Sequence, residues 1–313
     1  MSLGENLAFV FPGQGSQKVG MLSELYDKHE IVRGAFEVAS SELGYDLWAL
    51  VINGPAETLN LTENTQPALL CSSVALYRLW QQRGGAIPSY MAGHSLGEWS
   101  ALVCAGVVEL KDAIRLVHLR GRYMQEAVPV GVGAMAAVIG LADEVIVGVC
   151  AGLANEGVVA AVNFNTPGQV VIAGEKALVE KAGMACREAG AKKVMPLPVS
   201  APFHTAMMKP AAERLADDMA AVDFNDPIIP IVHNVTAAIE SNGAKIRELM
   251  IEQIYSPVRW VECVETLKAI GTEKVVECGP GKVLASMMRR IDKTISTSTL
   301  DTQAAFDGAL ESN

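Results

Sequence analysis

The chain contains 313 residues, of which 50% are hydrophobic and 19% are charged, and its formal net charge is -10. This balance predicts a compact globular protein and argues against a nucleic-acid-binding one, which would present a basic surface. The six cysteines form no C-x-x-C pair and have no histidine at zinc spacing, and no apolar run reaches about 18 residues. We therefore expect reduced thiols, no bound metal, no membrane span and a cytoplasmic location.

Apolar runs alternate with longer helical patterns along the chain, which predicts a mainly parallel sheet covered by helices. The first part of the chain is predicted to contain, in order, a strand over 7–11, helices over 27–50 and 65–83, a strand over 90–92, and helices over 96–105 and 110–127. The last part is predicted to contain strands over 228–234 and 274–278, and between them a helix over 245–270 that is broken near Pro257.

The middle of the chain has a different pattern. A strand over 133–141, a helix over 143–153, strands over 158–163 and 169–173, a helix over 175–189 and a strand over 193–197 give the order β-α-β-β-α-β. This order is typical of the ferredoxin-like unit, which can close its own small sheet. We therefore predict an α/β fold with an α/β-hydrolase-like core formed by 1–127 and 199–313, and an inserted ferredoxin-like subdomain over 128–198.

A candidate nucleophile lies between the strand over 90–92 and the helix that follows it. Gly93-His94-Ser95-Leu96-Gly97 fits G-x-S-x-G, the turn that presents a serine above a sheet. The apolar lead-in and the good helix formers after it are the context that this turn requires. The alternative interpretation is a turn that needs its glycines for tight packing and carries an inert serine.

Ser95 needs a base, and the chain has only five histidines. His204, in PVSAPFHTAMM, follows a predicted strand and lies between prolines, on the kind of loop where open α/β sheets place catalytic groups. The acidic residues between Ser95 and His204, Glu98 among them, all fall in predicted helices, helix starts or turns. The group that orients His204 is therefore open: a carbonyl or amide oxygen would fix its tautomer as well as an acid.

Arg120 is the charged residue whose position is most informative. It lies on the apolar stripe of the helix over 110–127, whereas Arg115 and Arg122 project to other faces. One interpretation is a structural salt bridge with a buried acid; the other is a fork that binds a substrate carboxylate.

The loop PGQGSQ at 12–17 fails as a phosphate loop, but such a loop can offer a backbone N–H to an oxyanion.

These segments belong to a larger set that extends over nearly the whole chain: FPGQGSQ at 11–17, TQPALL at 65–70, GHSLGE at 93–98, RGRYMQ at 120–125, NFNTPGQVVIAG at 163–174, SAPFH at 200–204, SPVRW at 256–260 and GPGKVL at 279–284. In this order the set resembles the malonyl-CoA:acyl carrier protein transacylases, an acyltransferase family of fatty acid and polyketide synthesis.

The resemblance implies a role for each matching residue. Ser95 would be the acylated nucleophile and His204 its base, and the main-chain carbonyl of Gln253 would orient His204. Arg120 would hold the malonyl carboxylate. The backbone N–H groups of the oxyanion hole would come from Gln14 and Leu96, and the pocket would be lined by Gln66, His94, Asn163 and Gln169.

The implied reaction moves a malonyl group from malonyl-CoA to the phosphopantetheine thiol of acyl carrier protein, without a cofactor. Because acyl carrier protein is acidic in this family, we expect it to dock on a local basic patch; the densest candidates, which could equally be ordinary solvated faces, are Lys192, Lys193, Arg289, Arg290 and Lys293. The alternatives are a serine esterase or thioesterase, a non-catalytic carrier-protein-binding subunit, and a transferase of malonate decarboxylation or polyketide assembly.

Overall fold

A computed structural model describes residues 3–312, with only the backbone of Leu3. The helices are α1 Ser23–Lys28, α2 Glu30–Leu43, α3 Leu47–Asn53, α4 Ala56–Leu59, α5 Thr62–Gln82, α6 Leu96–Cys104, α7 Leu110–Glu126, α8 Asp143–Gly152, α9 Lys176–Glu188, α10 Lys209–Met219, α11 Gly243–Glu252, α12 Trp260–Ala269, α13 Val283–Ile291 and α14 Gln303–Ser312. Within this described part, no helix combines the length and the apolar character needed to cross a membrane.

The larger of the two sheets has six strands in the order β10-β9-β1-β2-β7-β8. Their bounds are β1 Leu3–Phe11, β2 Ile87–Gly93, β7 Ile231–Val232, β8 Ile239–Glu240, β9 Lys274–Glu277 and β10 Ser296–Thr299. The pairings from β10 to β7 are parallel, and β8 adds one antiparallel edge strand. This confirms the predicted α/β class. The order brings the carboxyl ends of β1 and β2 together, so the loops after Phe11 and Gly93 meet.

The smaller sheet has four strands in the order β4-β5-β3-β6, and each neighbouring pair is antiparallel. Its strands are β3 Gly133–Ile139, β4 Val159–Thr166, β5 Gln169–Glu175 and β6 Lys193–Pro196. Helices α8 and α9 pack against it through a separate apolar cluster that includes Val138, Ile146 and Ala182. The loop after α11 also joins this sheet, because Val258 N–H donates to Val162 O (2.8 Å) and Phe164 N–H donates to Val258 O (3.0 Å).

The main core lies on one face of the larger sheet, where α5 and α7 contact each other and α2 packs on both. Helix α5 is buried along most of its length. Near its carboxyl end, Tyr77 and Trp80 contact Phe9 edge to face, with ring centroids 5.7 and 5.3 Å apart. The packing of α5 against β1 and its contact with α7 hold these two helices beside the edge of the sheet where the carboxyl end of β2 lies.

Two long predicted helices are interrupted. The helix expected over 27–50 is divided between α1, α2 and α3, because Gly44 ends α2 with a φ of 74°. The helix expected over 245–270 is α11 and α12, separated by a 3-10 turn at Gln253–Tyr255 and the extended residues that follow it. Because the helix is interrupted here, the Gln253 carbonyl is free from a helical hydrogen bond and can bond a side chain. Helices α4, α10, α13 and α14 and strands β8 and β10 were not predicted.

Candidate active site

Ser95 stands on a sharp turn between β2 and α6. Its φ of 51° and ψ of -106° lie in a region that non-glycine residues rarely adopt, as expected of a serine held above a sheet by its surroundings. The two motif glycines are required by close approach. A Cβ on Gly97 would lie 1.9 Å from Phe11 O, and a Cβ on Gly93 would lie 2.0 Å from Gly97 C. The turn therefore holds the serine only because both glycines lack side chains.

His204 lies next to Ser95. The distance from Ser95 Oγ to His204 Nε2 is 2.8 Å, and that from His204 Nδ1 to the main-chain oxygen of Gln253 is 2.8 Å. A carbonyl can only accept, so Nδ1 carries the proton and Nε2 is the acceptor that faces the serine hydroxyl. The geometry that the resemblance implied for these three residues is present, with a carbonyl where many serine hydrolases have an acid.

The environment of His204 favours its neutral form. The side chain is buried, and burial together with the nearby Arg120 charge lowers the pKa of His204 from 6.5 to about 3. The Gln253 carbonyl raises this pKa, but less than burial lowers it. His204 is therefore unprotonated at neutral pH, as a group must be if it is to accept the serine proton.

Arg120 reaches the same place from α7. It is 1% exposed, and its guanidinium donates to Gln66 Oε1 (2.8 Å), Gln253 Oε1 (3.0 Å) and Ser95 Oγ (3.3 Å). Its Nε has no hydrogen-bond partner. Over residues 3–312 no carboxylate forms an ion pair with Arg120. The structural salt bridge considered from the sequence is thus absent, and a buried cation faces the nucleophile with only amide and hydroxyl partners.

Ser95, His204 and Arg120 open on a cavity of about 130 Å³. Its other lining residues are Gln14, Gln66, His94, Leu96, Met124, Met135, Asn163, Leu197, Val199 and Phe203. Leu96 is the first residue of α6, so its N–H has no carbonyl within the helix to bond and is free to face the cavity. Gln14 lines the same cavity from the loop after β1, so both residues predicted to supply oxyanion donors border it together with Ser95.

The predicted pocket residues divide into two groups. Gln66, His94 and Asn163 line the cavity. His94 is held by Asn165, with 2.8 Å between its Nε2 and Asn165 Oδ1, and this partner was not predicted from the sequence. The prediction for Gln169 is wrong, because its side chain lies outside the cavity lining and its Oε1 accepts from Arg290 Nη1 at 2.7 Å. The first residue of β5 is turned toward α13 instead.

Sequence reasoning also missed a buried polar cluster beneath the turn. Glu98 is 1% exposed, and its carboxylate accepts from Gln253 Nε2 (2.7 Å) and the Asn234 N–H (3.1 Å) and contacts His233 Nδ1 (2.6 Å). Asn234 Oδ1 in turn accepts from the Ser95 N–H at 2.8 Å. The signal that could have found this cluster is the position of Glu98, an acidic residue in the first turn of a short helix whose other residues are largely buried. No three metal-ligating side chains lie together anywhere in the described part of the chain.

The predicted basic residues lie on the surface. Lys192, Lys193, Arg289, Arg290 and Lys293 are all exposed. Strand register relates the two clusters: Lys193 pairs with Ile139, Ile139 pairs with Gln169, and Arg290 bonds Gln169. Lys193 and Gln169 are therefore two strand spacings, about 10 Å, apart. Both basic clusters thus border the same end of the smaller sheet.

Comparisons with known proteins give this arrangement a family. A family model described as an acyl transferase domain matches residues 8–303. The chain is 57% identical over 304 residues to the malonyl CoA-acyl carrier protein transacylase of Escherichia coli (strain K12), an alignment that covers 97% of this chain and 98% of the relative. The chain belongs to the acyl transferase family. The resemblance described from the sequence is confirmed, and the protein is an acyltransferase.

Solved structures agree with this assignment. The chain is similar to an acyl carrier protein S-malonyltransferase from Vibrio cholerae O1, with 56% identity, a TM-score of 0.95, and coverage of 97% of this chain and 99% of that one. It is also similar to a malonyl-transacylase solved in complex with its type II PKS acyl-carrier protein, with 53% identity, a TM-score of 0.96, and coverage of 98% and 99%.

Proposed function

We propose that the protein transfers the malonyl group of malonyl-CoA to the phosphopantetheine thiol of an acyl carrier protein, as the extender unit of fatty acid synthesis. The observation that supports this best is the juxtaposition of a hydrogen-bonded Ser95–His204 pair and a buried Arg120 without an acidic partner. The names of the relatives point to the same transfer. Serine and histidine supply the groups that acyl transfer needs, so the chemistry calls for no cofactor.

In the first half-reaction, Ser95 Oγ attacks the thioester carbonyl of malonyl-CoA while His204 Nε2 takes the serine proton. The carbonyl oxygen becomes an oxyanion, which the N–H groups of Leu96 and Gln14 stabilise. Collapse of the tetrahedral intermediate breaks the carbon–sulfur bond, and the CoA sulfur leaves with the proton from His204. The product is a malonyl ester on Ser95, with His204 neutral again.

In the second half-reaction, His204 takes the proton of the carrier-protein thiol, and the sulfur attacks the ester carbonyl. The carbon–oxygen bond to Ser95 breaks, the serine oxygen regains a proton from His204, and malonyl leaves as the new thioester. Each half-reaction forms one acyl bond and breaks another, so atoms and charge balance. Water competes with the thiol for the same ester, and the apolar wall of Met124, Met135 and Phe203 reduces its access.

Arg120 gives the reaction its preference for malonyl. The malonyl carboxylate would complete the coordination of a buried cation that lacks an acid, whereas an acetyl group would leave that cation unpaired. The same contact assists catalysis. Because the Arg120 charge lowers the pKa of His204, a bound carboxylate that offsets this charge would raise that pKa and make His204 a stronger base.

We propose that acyl carrier protein docks on the basic end of the smaller sheet, where Lys192, Lys193, Arg289, Arg290 and Lys293 lie. A cluster of exposed cations on a chain with a net charge of -10 suits an acidic partner, which the rest of the surface would repel. The similarity to a malonyl-transacylase solved with a type II PKS acyl-carrier protein makes a polyketide carrier the second candidate acceptor.

We further propose that 128–198 is a ferredoxin-like subdomain inserted in an α/β-hydrolase-like core formed by 1–127 and 199–313. The element order β3-α8-β4-β5-α9-β6 and the antiparallel strand order support the first part. The parallel pairing of β1 and β2 beneath the serine turn supports the second.

Six free cysteines, all buried, favour the cytoplasm as the location.

Mass spectrometry of the intact protein tests the transfer. After incubation with malonyl-CoA alone, we expect one malonyl group on Ser95 that survives in buffer and is discharged when holo-acyl carrier protein is added. Ser95→Ala is the matched control and should remain unlabelled. Rapid loss of the adduct to water with no product on the carrier protein would indicate an esterase or thioesterase, and no adduct at all would indicate a binding subunit.

A further inference from the structure

The buried cluster beneath the serine turn contains the only carboxylate that the described residues place near Arg120. Glu98 lies in the first turn of α6, and both of its oxygens are occupied: Oε1 by His233 Nδ1 (2.6 Å), and Oε2 by the Asn234 N–H (3.1 Å) and Gln253 Nε2 (2.7 Å). Neither oxygen contacts Arg120. Glu98 lies on a helix rather than on a strand-end loop, and it has no part in the acyl transfer proposed for Ser95 and His204.

The side-chain amide of Gln253 connects Glu98 to Arg120. Its Nε2 donates to Glu98 at 2.7 Å, and its Oε1 accepts from Arg120 Nη2 at 3.0 Å. Glu98 and the main-chain oxygen of Ser95, to which the same Nε2 donates at 3.0 Å, can only accept, so together they fix the direction of this amide: the NH₂ group must face them, and the oxygen is left for Arg120. The Glu98 carboxylate and the Arg120 guanidinium are thus connected through hydrogen bonds to a single amide group, that of Gln253.

We propose that Glu98 is a positioning residue for Arg120: an indirect counter-ion that stabilises the guanidinium charge through Gln253 and leaves its cavity-facing edge free for a carboxylate. This inference rests on the proposed function, in which that carboxylate belongs to malonyl. A direct Glu–Arg ion pair would also stabilise the cation, but it would occupy the donors that the substrate needs. Without any counter-ion, a fully buried guanidinium would be strongly destabilised.

The electrostatics agree with this geometry. Burial lowers the pKa of Arg120 to about 10, and the Glu98 charge is what raises it. The other titratable side chains that face the cavity beside Arg120 are His94 and His204, and burial lowers the pKa of each. Both imidazoles are therefore neutral above neutral pH, so in the alkaline range the charge that opposes deprotonation of Arg120 comes from Glu98.

Glu98→Gln removes this charge and preserves the hydrogen bonds. The Asn234 N–H still requires an acceptor at the same point, so the new amide oxygen would face Asn234 and Gln253. The new NH₂ group would face His233, whose Nε2 has no partner and can hold the ring proton while Nδ1 accepts. The variant should therefore fold, and it isolates the charge.

The measurement is the rate at which malonyl-CoA and acetyl-CoA acylate Ser95 in the full-length protein, as a function of pH. The ratio of the two rates reports on the charge of Arg120, because Ser95 and His204 act on both substrates, whereas the carboxylate that contacts Arg120, and the effect of that contact on His204, belong to malonyl alone. In the wild type, we expect the ratio to fall as the pH rises through about 10, where Arg120 loses its proton. In Glu98→Gln we expect the same fall at a pH lower by about one unit, with the ratio near neutral pH within about 3-fold of wild type.

Two further variants make the test specific. Glu98→Asp keeps the charge, so its ratio should fall at the wild-type pH even where both rates decrease. Glu277→Gln removes a second buried carboxylate, which accepts from the backbone N–H groups of Val283, Leu284 and Ala285 at the start of α13, and its ratio should follow wild type. If Glu98→Gln does not fold, Glu98→Asp and Glu98→Asn provide the same charge difference with a shorter side chain.

Superimposable profiles for Glu98→Gln and wild type would overturn the inference, as would an equal shift in Glu98→Asp or in Glu277→Gln. A loss of malonyl and acetyl rates in equal proportion, with the pH of the fall unchanged, would show that Glu98 has only a structural role. These outcomes differ from a failure of the proposed function itself, in which the wild type would show no preference for malonyl at any pH.

Discussion

The two sides of the cavity are built in opposite ways. On one side, Ser95, His204 and the Gln253 carbonyl form a complete chain of hydrogen bonds that needs no further partner. On the other side, Arg120 is buried with two amides and a hydroxyl but no acid, and its Nε is unpaired. In the proposed function, the first side would form and break acyl bonds with any acyl group, and a substrate carboxylate would supply the anion that the second side lacks.

This difference separates reaction from selection. Both sides draw on Gln253, whose backbone serves His204 and whose side chain serves Arg120, so one 3-10 turn positions the base and the cation together. The separation predicts that substitutions on the reaction side abolish turnover of every acyl group, whereas those on the selection side change which acyl group is preferred. Four predictions test this division, from the largest expected effect to the smallest.

Ser95→Ala should lower malonyl transfer by about 10⁴-fold or more, because no other nucleophile can form the ester. Transfer from acetyl-CoA should fall equally, since the loss is on the reaction side. Steady-state kinetics with both thioesters measures this. Residual acylation at another residue, at a rate close to wild type, would show that Ser95 is not the nucleophile.

Arg120→Ala should lower kcat/KM for malonyl-CoA by about 10²-fold and leave acetyl-CoA within a few-fold of wild type. The reason is that only the malonyl carboxylate contacts the guanidinium. Arg122→Ala, on the exposed side of the same helix, is the matched control and should change neither value. An unchanged malonyl preference in Arg120→Ala would remove this residue from substrate selection.

The third prediction concerns the basic residues of the proposed docking surface, which lie outside the cavity and should affect only the carrier protein. Lys193→Glu combined with Arg289→Glu should raise KM for the carrier protein by about 10-fold and leave acylation by malonyl-CoA unchanged. Lys111→Glu, an exposed lysine in the first turn of α7, offers a charge reversal on the other face of the larger sheet from α13. A KM that stays normal in the double variant, or that rises equally in Lys111→Glu, would contradict the docking proposal.

The smallest effect concerns pH. Burial and the Arg120 charge together lower the pKa of His204 to about 3, so we expect the imidazole to stay neutral, and acylation to persist, well below pH 6.5. In Arg120→Ala the second cause is absent, the pKa of His204 rises, and the acid limb of acetyl-CoA acylation should move to higher pH. A pH profile measured on both proteins decides this. An acid limb in the same place would mean that the two sides of the cavity are not coupled.

The sequence predicted the parts of the site whose cause is local. The turn follows from Gly93 and Gly97, which the structure shows are needed for close approach, and the inward position of Arg120 follows from helical periodicity. His204 was found by elimination among few histidines. The turn and the position of Arg120 depend on residues within one segment, and the choice of His204 depends on the small number of histidines, so no tertiary contact had to be known.

The rest depends on contacts between distant segments. Glu98 lies on α6, His233 and Asn234 lie in the loop after β7, and Gln253 lies in the 3-10 turn after α11, so no local pattern shows that these residues meet. Gln169 shows the converse, since its place beside NFNTPG suggested the pocket but its side chain bonds Arg290. Which face a strand-end residue presents depends on the neighbouring helix, and the sequence pattern does not contain that information.

A crystal structure of the acylated protein tests the central claim most directly. Crystals soaked with malonyl-CoA, without carrier protein, should hold a malonyl ester on Ser95 Oγ, with its carboxylate on the guanidinium of Arg120 and its carbonyl oxygen toward the N–H of Leu96. That result would show the two sides of the cavity completed by one substrate. A malonyl carboxylate directed to solvent, with Arg120 still bonded only to Gln66 and Gln253, would contradict the division between reaction and selection.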